Sequence, residues 1–443
     1  MIKTLSQAIR DKEIRKRLWW TLFILAVFRF GAHIVVPGVN AKAMTALMEE
    51  TSLLNLLNVF SGGGLSNYSI MALGVSPFVT AQIIIQLLQL DIVPRFVEWG
   101  KQGESGRRKL NMATRWFTLI IGFVQSIGIT AGLNSMSQTA EIQLLKNSSW
   151  QSYALIGVIM TIGTMFAMWL GEQISDRGLG NGVSMMIFAG IVARLFPGAF
   201  EVFRENVLMG GGDRSGIILM IIITISMMLV LTGVTWFYGA TRRLQMQYTR
   251  SSSQYGSEAY LPLRVNVSGV IPVIFASSFI TTPGTILTAF NSQWSGYSWY
   301  NTATEIFSMK TTPGAIIYAA LIVVFTYFYA FVQVNPEKLS ENLQKQGAYI
   351  VGVRPGEATK TFMSNLIMRL SFPGSIFLAI VAIIPILAAN VWGLGGAALG
   401  GTSLLITIGV ALDMLRQIDG LMQKKSYNGF IRDEAPVSAN ENQ

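Results

Sequence analysis

The chain has 443 residues, of which 51% are hydrophobic and only 13% charged, with a formal net charge of +10. So few charges cannot clothe a soluble protein of this length, and the composition is that of an integral membrane protein. There is no cysteine and one histidine, His33, which excludes disulfides and thiolate metal sites and argues against a histidine relay; no cofactor or metal is expected.

Ten apolar stretches approach the roughly 20 residues that cross a bilayer as a helix. They fall at 18–37, 69–90, 112–133, 152–173, 183–197, 215–238, 266–289, 314–334, 370–391 and 402–421. The first is too long for a signal-peptide core and lacks a small-x-small cleavage site before Pro37, so it is expected to stay as a span. The fifth is short. The second and seventh are broken by glycine and proline, as in "SGGGLSNYSIMALGVSPFVTAQ" and "NVSGVIPVIFASSFITTPG". Broken backbone at membrane depth survives only where protein or a water-filled cavity surrounds it, so these two are expected to line an aqueous path.

Of the 33 Lys and Arg, 24 fall in residues 1–17, in alternate loops and after residue 421, against five in the opposite loops. That asymmetry places both termini in the cytoplasm. It also turns one strongly basic face toward anionic lipid or toward an acidic or nucleic-acid-containing partner. Five spans per half is an odd number, so two halves of like fold must be inverted with respect to each other. The expected fold is an all-α polytopic membrane protein with ten transmembrane helices in two inverted, pseudo-symmetric five-helix halves. The halves are 1–197 and 215–421, joined by an external loop, 198–214. The second half carries cytoplasmic loops 239–265 and 335–369, and a cytoplasmic tail runs over 422–443.

Helix spacing puts Val75 and Val79 on one face of span 2, Val183 and Ile187 on one face of span 5, and Ile271 near Ile274 on span 7. Stiff β-branched side chains suit a narrow apolar collar that closes a pore by dewetting. The same spacing also fits lipid-facing or packing residues, and alone it favours packing. Asp91, Glu172 and Asp413 lie toward cytoplasmic ends, with Asp413 three residues from Arg416, so no buried acidic relay of an ion-coupled secondary transporter is visible. Arg29 lies deeper, and pairing with a carbonyl or snorkelling along a tilted helix would accommodate it. Neither a nucleophile–base constellation nor HExxH nor Walker A spacing is present, so no enzyme is expected and any work must come from outside the chain.

Six stretches carry a resemblance. "ALGVSPFVTAQIIIQLL" (72–88), "KQGESGRRKL" (101–110), "GEQISDRGLGNGVSMMIFAGIV" (171–192), "LPLRVNVSGVIPVIFASS" (261–278), "GVRPGEAT" (352–359) and "GGTSLLI" (400–406) together resemble the SecY family of protein-conducting channel subunits, in family order. The resemblance implies a clamshell of two five-helix halves hinged at the external loop 198–214, with a pore ring of Val75, Val79, Val183, Ile187, Ile274 and Ile406. It implies a plug within 53–68, including Leu57, Val59, Phe60, Ser61, Gly62, Gly63 and Gly64, whose glycine run reads as a flexible hinge. Spans 2 and 3 against 7 and 8 would form a lateral gate with Gln86 at the seam, although an ordinary interhelical hydrogen bond explains Gln86 nearly as well.

The partners implied are SecE, SecG, the SecA ATPase, the ribosome, signal sequences and nascent polypeptides, in a bacterial cytoplasmic membrane with anionic lipids. Arg242, Arg243 and Arg250 on the 6/7 loop and Lys345, Arg354 and Lys360 on the 8/9 loop would be the landing surface. In the 8/9 loop, "QGAYIVGVRPGEATK" (346–360), Pro355 fixes its own φ and biases Arg354 toward extended geometry while Gly356 frees the next turn. That construction holds a guanidinium out at a defined tip.

Overall fold

A computed structural model describes residues 11–40, 44, 58, 61–89, 93–139, 143–145, 149–204, 214–248, 259–294, 296–308, 311–392 and 401–432. The ten expected spans are present as helices: α1 (Lys12–Gly31), α2 (Ser76–Leu88), α4 (Glu104–Thr139), α5 (Trp150–Arg177), α6 (Gly182–Phe203), α7 (Arg214–Gly239), α8 (Ile271–Ala289), α11 (Thr312–Gln333), α13 (Glu357–Trp392) and α14 (Gly401–Arg432). Short helices α3 (Pro94–Lys101), α9 (Asn291–Trp294), α10 (Ser298–Ile306) and α12 (Pro336–Lys345) fill connections. Among the described residues α4, α5, α11 and α13 are long and apolar enough to cross a membrane unaided, and α2, α6, α7 and α8 contribute shorter apolar segments.

The boundaries differ from expectation where glycine, proline or backbone pairing intervenes. Span 1 ends at Gly31 rather than 37, because Ile34 to Val36 form an extended strip. Val36 N–H donates to Tyr68 O at 3.0 Å and Ile70 N–H donates to Ile34 O at 2.9 Å, so this backbone is satisfied by pairing instead of by a helix. Residues 69–75 of span 2 are a bridge and turns, with Gly74 at φ 55°, and α2 starts only at Ser76 with Pro77 in its first turn. Span 5 does not stop at 197: α6 carries Pro197 inside it and runs to Phe203. Of the expected hinge loop, 205–213 lies outside the described residues. The tail begins as helix, since α14 reaches Arg432.

The all-α expectation needs one addition. Strands β1 (Thr241–Tyr248), β2 (Ala259–Arg264) and β3 (Ala348–Ile350) form an antiparallel sheet in the order β2-β1-β3. It joins the 6/7 loop to the 8/9 loop over its own small core, in which Leu244, Leu263, Leu343, Ile350 and Met363 are buried together. The principal core lies between the two halves and draws buried side chains from helices of both.

Candidate functional site

Spans 2 and 7 enter their helices in the same way. Each short helix has a proline in its first turn, Pro77 or Pro272, preceded by glycine-containing turns. The first helical bonds are Val79 N–H to Val75 O at 3.0 Å and Ile274 N–H to Val270 O at 3.3 Å. Val79 and Ile274 therefore each stand two residues after the proline, at the point where the broken backbone becomes a helix. On span 5 the helix start is fixed by Asn181, whose Oδ1 accepts from Val183 N–H at 3.1 Å and Ser184 N–H at 3.3 Å. That cap sets the azimuth of Val183 and, one turn on, of Ile187.

The structure brings all six expected collar residues into one apolar cluster. Val75, Val79, Ile187, Ile274 and Ile406 are buried in it and Val183 is packed against it. Ile271, which spacing alone placed beside Ile274, is only partly buried against the same cluster. The six side chains come from both halves and contain no polar atom, so none of them offers water a hydrogen bond.

Of the expected plug, Leu57, Val59 and Phe60 lie outside the described residues, whereas Asn58 and 61–68 are described. The glycine run is not a loose hinge. Gly63 N–H donates to Asn58 O at 2.8 Å, Leu65 N–H to Ser61 Oγ at 3.1 Å, Ser66 N–H to Asn58 Oδ1 at 3.0 Å and Ser69 N–H to Gly64 O at 2.9 Å. Gly62 and Gly63 hold φ of 66° and 87°, which glycine adopts without strain. Permissive torsions are used here to tie a compact knot.

At the seam between spans 2 and 7, α2 and α8 touch, and α8 also packs along α4 of span 3. Thr80 Oγ1 donates to Ser76 O at 3.2 Å and so accepts from Thr282 Oγ1, 3.1 Å away on α8. Gln86, six residues on, is turned roughly 120° around the helix from Thr80, and its buried Oε1 has no hydrogen-bond partner among the described residues. Gln125 on span 3 is fully buried, and neither of its amide atoms has a partner among the described residues. The polar contact that crosses the seam belongs to Thr80 and Thr282. Sequence reading missed it because the two residues are 202 positions apart and threonines in apolar helices are common.

Residues 69–415 match the family model described as SecY. The protein translocase subunit SecY 1 of Lactobacillus kefiranofaciens subsp. kefiranofaciens is 56% identical over 98% of this chain and 100% of its own length. The chain belongs to the SecY family. Two solved structures share its fold at 18% identity, each over 93% of both chains. One is a study of how the SecY plug domain stabilises the closed state of the translocation channel and maintains a membrane seal, with a TM-score of 0.66. The other is Sec61 in the canine ribosome-channel complex from the endoplasmic reticulum, with a TM-score of 0.62. The high-identity relatives are protein translocase subunits, and an ion-coupled transporter finds no support among them.

The three-stranded sheet of this SecY-family chain sorts the expected landing residues. Arg242 and Arg243 are both exposed on β1, but as strand neighbours they point to opposite faces, so they do not form one patch. Arg250 lies outside the described residues. Lys345 is exposed beside Glu341 at 3.5 Å. Lys360 is not the free cation expected of a landing residue, because its Nζ lies 3.3 Å from Glu337 and 3.6 Å from Glu357. The Glu337 hydrogen bond, then the charges of Glu337 and Glu357, hold its ammonium above the ordinary lysine range.

Arg354 differs from these: it is exposed and forms no ion pair with the described residues. Its backbone is nonetheless fixed. Thr359 Oγ1 donates to Arg354 O at 2.8 Å, Ser340 Oγ donates to Gly356 O at 2.8 Å, and Gly352 and Gly356 take φ of 83° and 98°. The sheet is tied to the bundle by Arg264 Nη1 to Asp413 Oδ1 at 3.1 Å, and Asp413 is also 3.7 Å from Arg416. Arg416 donates in turn to Tyr238 O.

Proposed function

We propose that this chain is the pore-forming subunit of a protein translocon in the bacterial cytoplasmic membrane, with both termini in the cytoplasm. Unfolded secretory chains pass through the collar of Val75, Val79, Val183, Ile187, Ile274 and Ile406. Hydrophobic segments leave sideways where spans 2 and 3 meet 7 and 8, past Thr80–Thr282 and, nearer the cytoplasmic end, Gln86. The five-helix halves 1–197 and 215–421 part about the 198–214 connection, and the 53–68 segment plugs the external funnel. The observation that carries this reading is that aliphatic residues from four spans and both halves, none with a polar side-chain atom, share one hydrophobic cluster. A lipid-facing or merely packing role for these residues would not need two broken helices to deliver them to one place.

The sequence carries no Walker A motif, so SecA or a translating ribosome provides the drive through the sheet platform, with Arg354 at its tip; SecE and SecG complete the complex and anionic lipid surrounds the basic face. Photo-crosslinking tests the reading. With a crosslinkable residue at Ile187 and a secretory precursor stalled in vesicles supplied with SecA and ATP, the precursor is expected to attach at Ile187 but not at lipid-facing Ile162, which is exposed on α5. Equal attachment at both positions would refute the pore.

A further inference from the structure

Arg29 occupies the last turn of α1, inside the first span, and no carboxylate among the described residues pairs with it. Its own carbonyl accepts from His33 Nδ1 at 2.8 Å, and its Nη1 donates to the carbonyl of Gly62. Arg29 is half-buried; a partly desolvated guanidinium needs acceptors, and a bond with a charged donor is roughly twice as strong as a neutral one. Gly62 is shaped for this contact. At φ 66° it presents its carbonyl, and a Cβ there would stand 3.0 Å from Cε1 of Phe28 and 3.4 Å from Cα of Gly190. The glycine is thus wedged between a ring of span 1 and the backbone of span 5. Most hydrogen bonds of the knot lie within residues 58–69 and would travel with it, whereas the Arg29 bond fastens it to α1.

We propose that Arg29 is a positioning residue, a latch that seats the knot formed by Asn58 and residues 61–64 against spans 1 and 5 and sets how readily the external seal opens. This rests on the reading of 53–68 as the plug of a channel. The protein has no cysteine, so Asn67→Cys, beside the knot, gives a single thiol whose labelling from outside reports unseating.

In reconstituted complex, Arg29→Gln is expected to raise both resting ion leak and Asn67→Cys labelling about tenfold, the order of one lost hydrogen bond to a charged group. Arg29→Lys should raise them less, and precursor transport should persist in both. Gly62→Ala, which leaves the arginine intact but fills the wedge, should reproduce the effect and carries the test if Arg29→Gln fails to accumulate. Wild-type leak and labelling in both Arg29→Lys and Gly62→Ala would overturn the latch. Val79→Gly with Ile187→Gly separates the two levels: if that collar variant leaks while the Arg29 and Gly62 variants do not, the latch alone falls. If none leaks, the channel reading falls with it.

Discussion

The collar and the platform tip are built by opposite means. Val75, Val79, Ile187, Ile274 and Ile406 are held by burial among other apolar side chains, with no side-chain hydrogen bond to orient them. Arg354 is exposed, yet the loop under it is pinned by Thr359, Ser340 and two left-handed glycines. A seal against ions needs only the absence of polar atoms and a close fit, so it tolerates any aliphatic of the right volume. A docking point must hold one charge in a defined place, so it needs directional bonds. The collar should therefore fail when polarity is introduced, and the tip when its charge or its mounting is changed.

The largest effect should come from the tip. Arg354→Glu reverses a charge on a fixed mounting, and losing one partner of a hydrogen-bonded charge pair at an interface costs about 2 kcal/mol or more, roughly 30-fold. Transport of a secretory precursor into vesicles, driven by SecA and ATP at matched channel levels, should fall at least that far while subunit assembly is retained. Arg354→Lys keeps the charge but loses the planar fork, and should be partly active. Near-normal transport by the glutamate variant would remove Arg354 from the docking surface.

Next in size is the collar. Each amide in Val79→Asn with Ile187→Asn offers water about 1–2 kcal/mol of stabilisation at the constriction, so resting ion conductance should rise about tenfold or more. Expression should survive, since neither change breaks a hydrogen bond. Val79→Ile with Ile187→Val, which keeps the wall apolar, should leave conductance near wild type. An asparagine variant that stays tight would mean that the six residues pack helices and seal nothing.

The same contrast explains what could be read in the sequence. The ten spans were legible because a bilayer demands length and apolarity, and the collar positions followed from spacing together with family motifs. Apolarity alone makes span 1 too long, because Ile34, Val35 and Val36 are as apolar as a helix would be; only Tyr68, Ser69 and Ile70, on the other side of an intervening segment, reveal that this strip is paired. The sheet escaped for the same reason. β1 meets β3 in the register Gln247↔Tyr349, about a hundred residues apart, and a three-residue strand carries no periodicity to detect. Arg29 was legible as far as needing a carbonyl, but which carbonyl depends on a turn at Gly62 that no pattern on span 1 encodes. Glycine was read as freedom at 62–64, whereas its left-handed torsions are spent on a hydrogen-bonded knot.

A smaller effect sits at the seam, which lies between the two extremes: apolar packing crossed by one hydroxyl pair. In membranes such interhelical hydrogen bonds average about 0.6 kcal/mol, so Thr282→Val should shift gate opening by roughly threefold. Thr80 keeps its bond to Ser76 O, so no donor is stranded by the change. Insertion of a marginally hydrophobic segment measures the shift, with more insertion expected in Thr282→Val. Adding Thr80→Val should bring insertion back toward wild type as two methyl groups pack in place of two hydroxyls. Strict additivity of the two changes would show that Thr80 and Thr282 do not interact.

The smallest effect belongs to Lys360, which separates mounting from docking within the platform. Its pKa is raised first by the hydrogen bond to Glu337 and then by the charges of Glu337 and Glu357. A lysine whose folded-state pKa lies above its unfolded value contributes stability that is complete below the unfolded value, about 10.4, and is lost as pH climbs through the folded value. The window is therefore alkaline, and nothing should change across the physiological range on this account. The ammonium is well exposed, so solvent and salt screen the pair and its contribution is slight. Amide hydrogen exchange near Glu337, after correction for the intrinsic pH dependence, should lose protection above the lysine range in the wild type and show no such step in Lys360→Met. At neutral pH Lys360→Met should leave SecA-driven transport within about twofold, the scale of a surface ion pair. A loss as large as that of Arg354→Glu would mean that Lys360 leaves Glu337 to meet the motor, and that both cations rather than Arg354 alone form the tip.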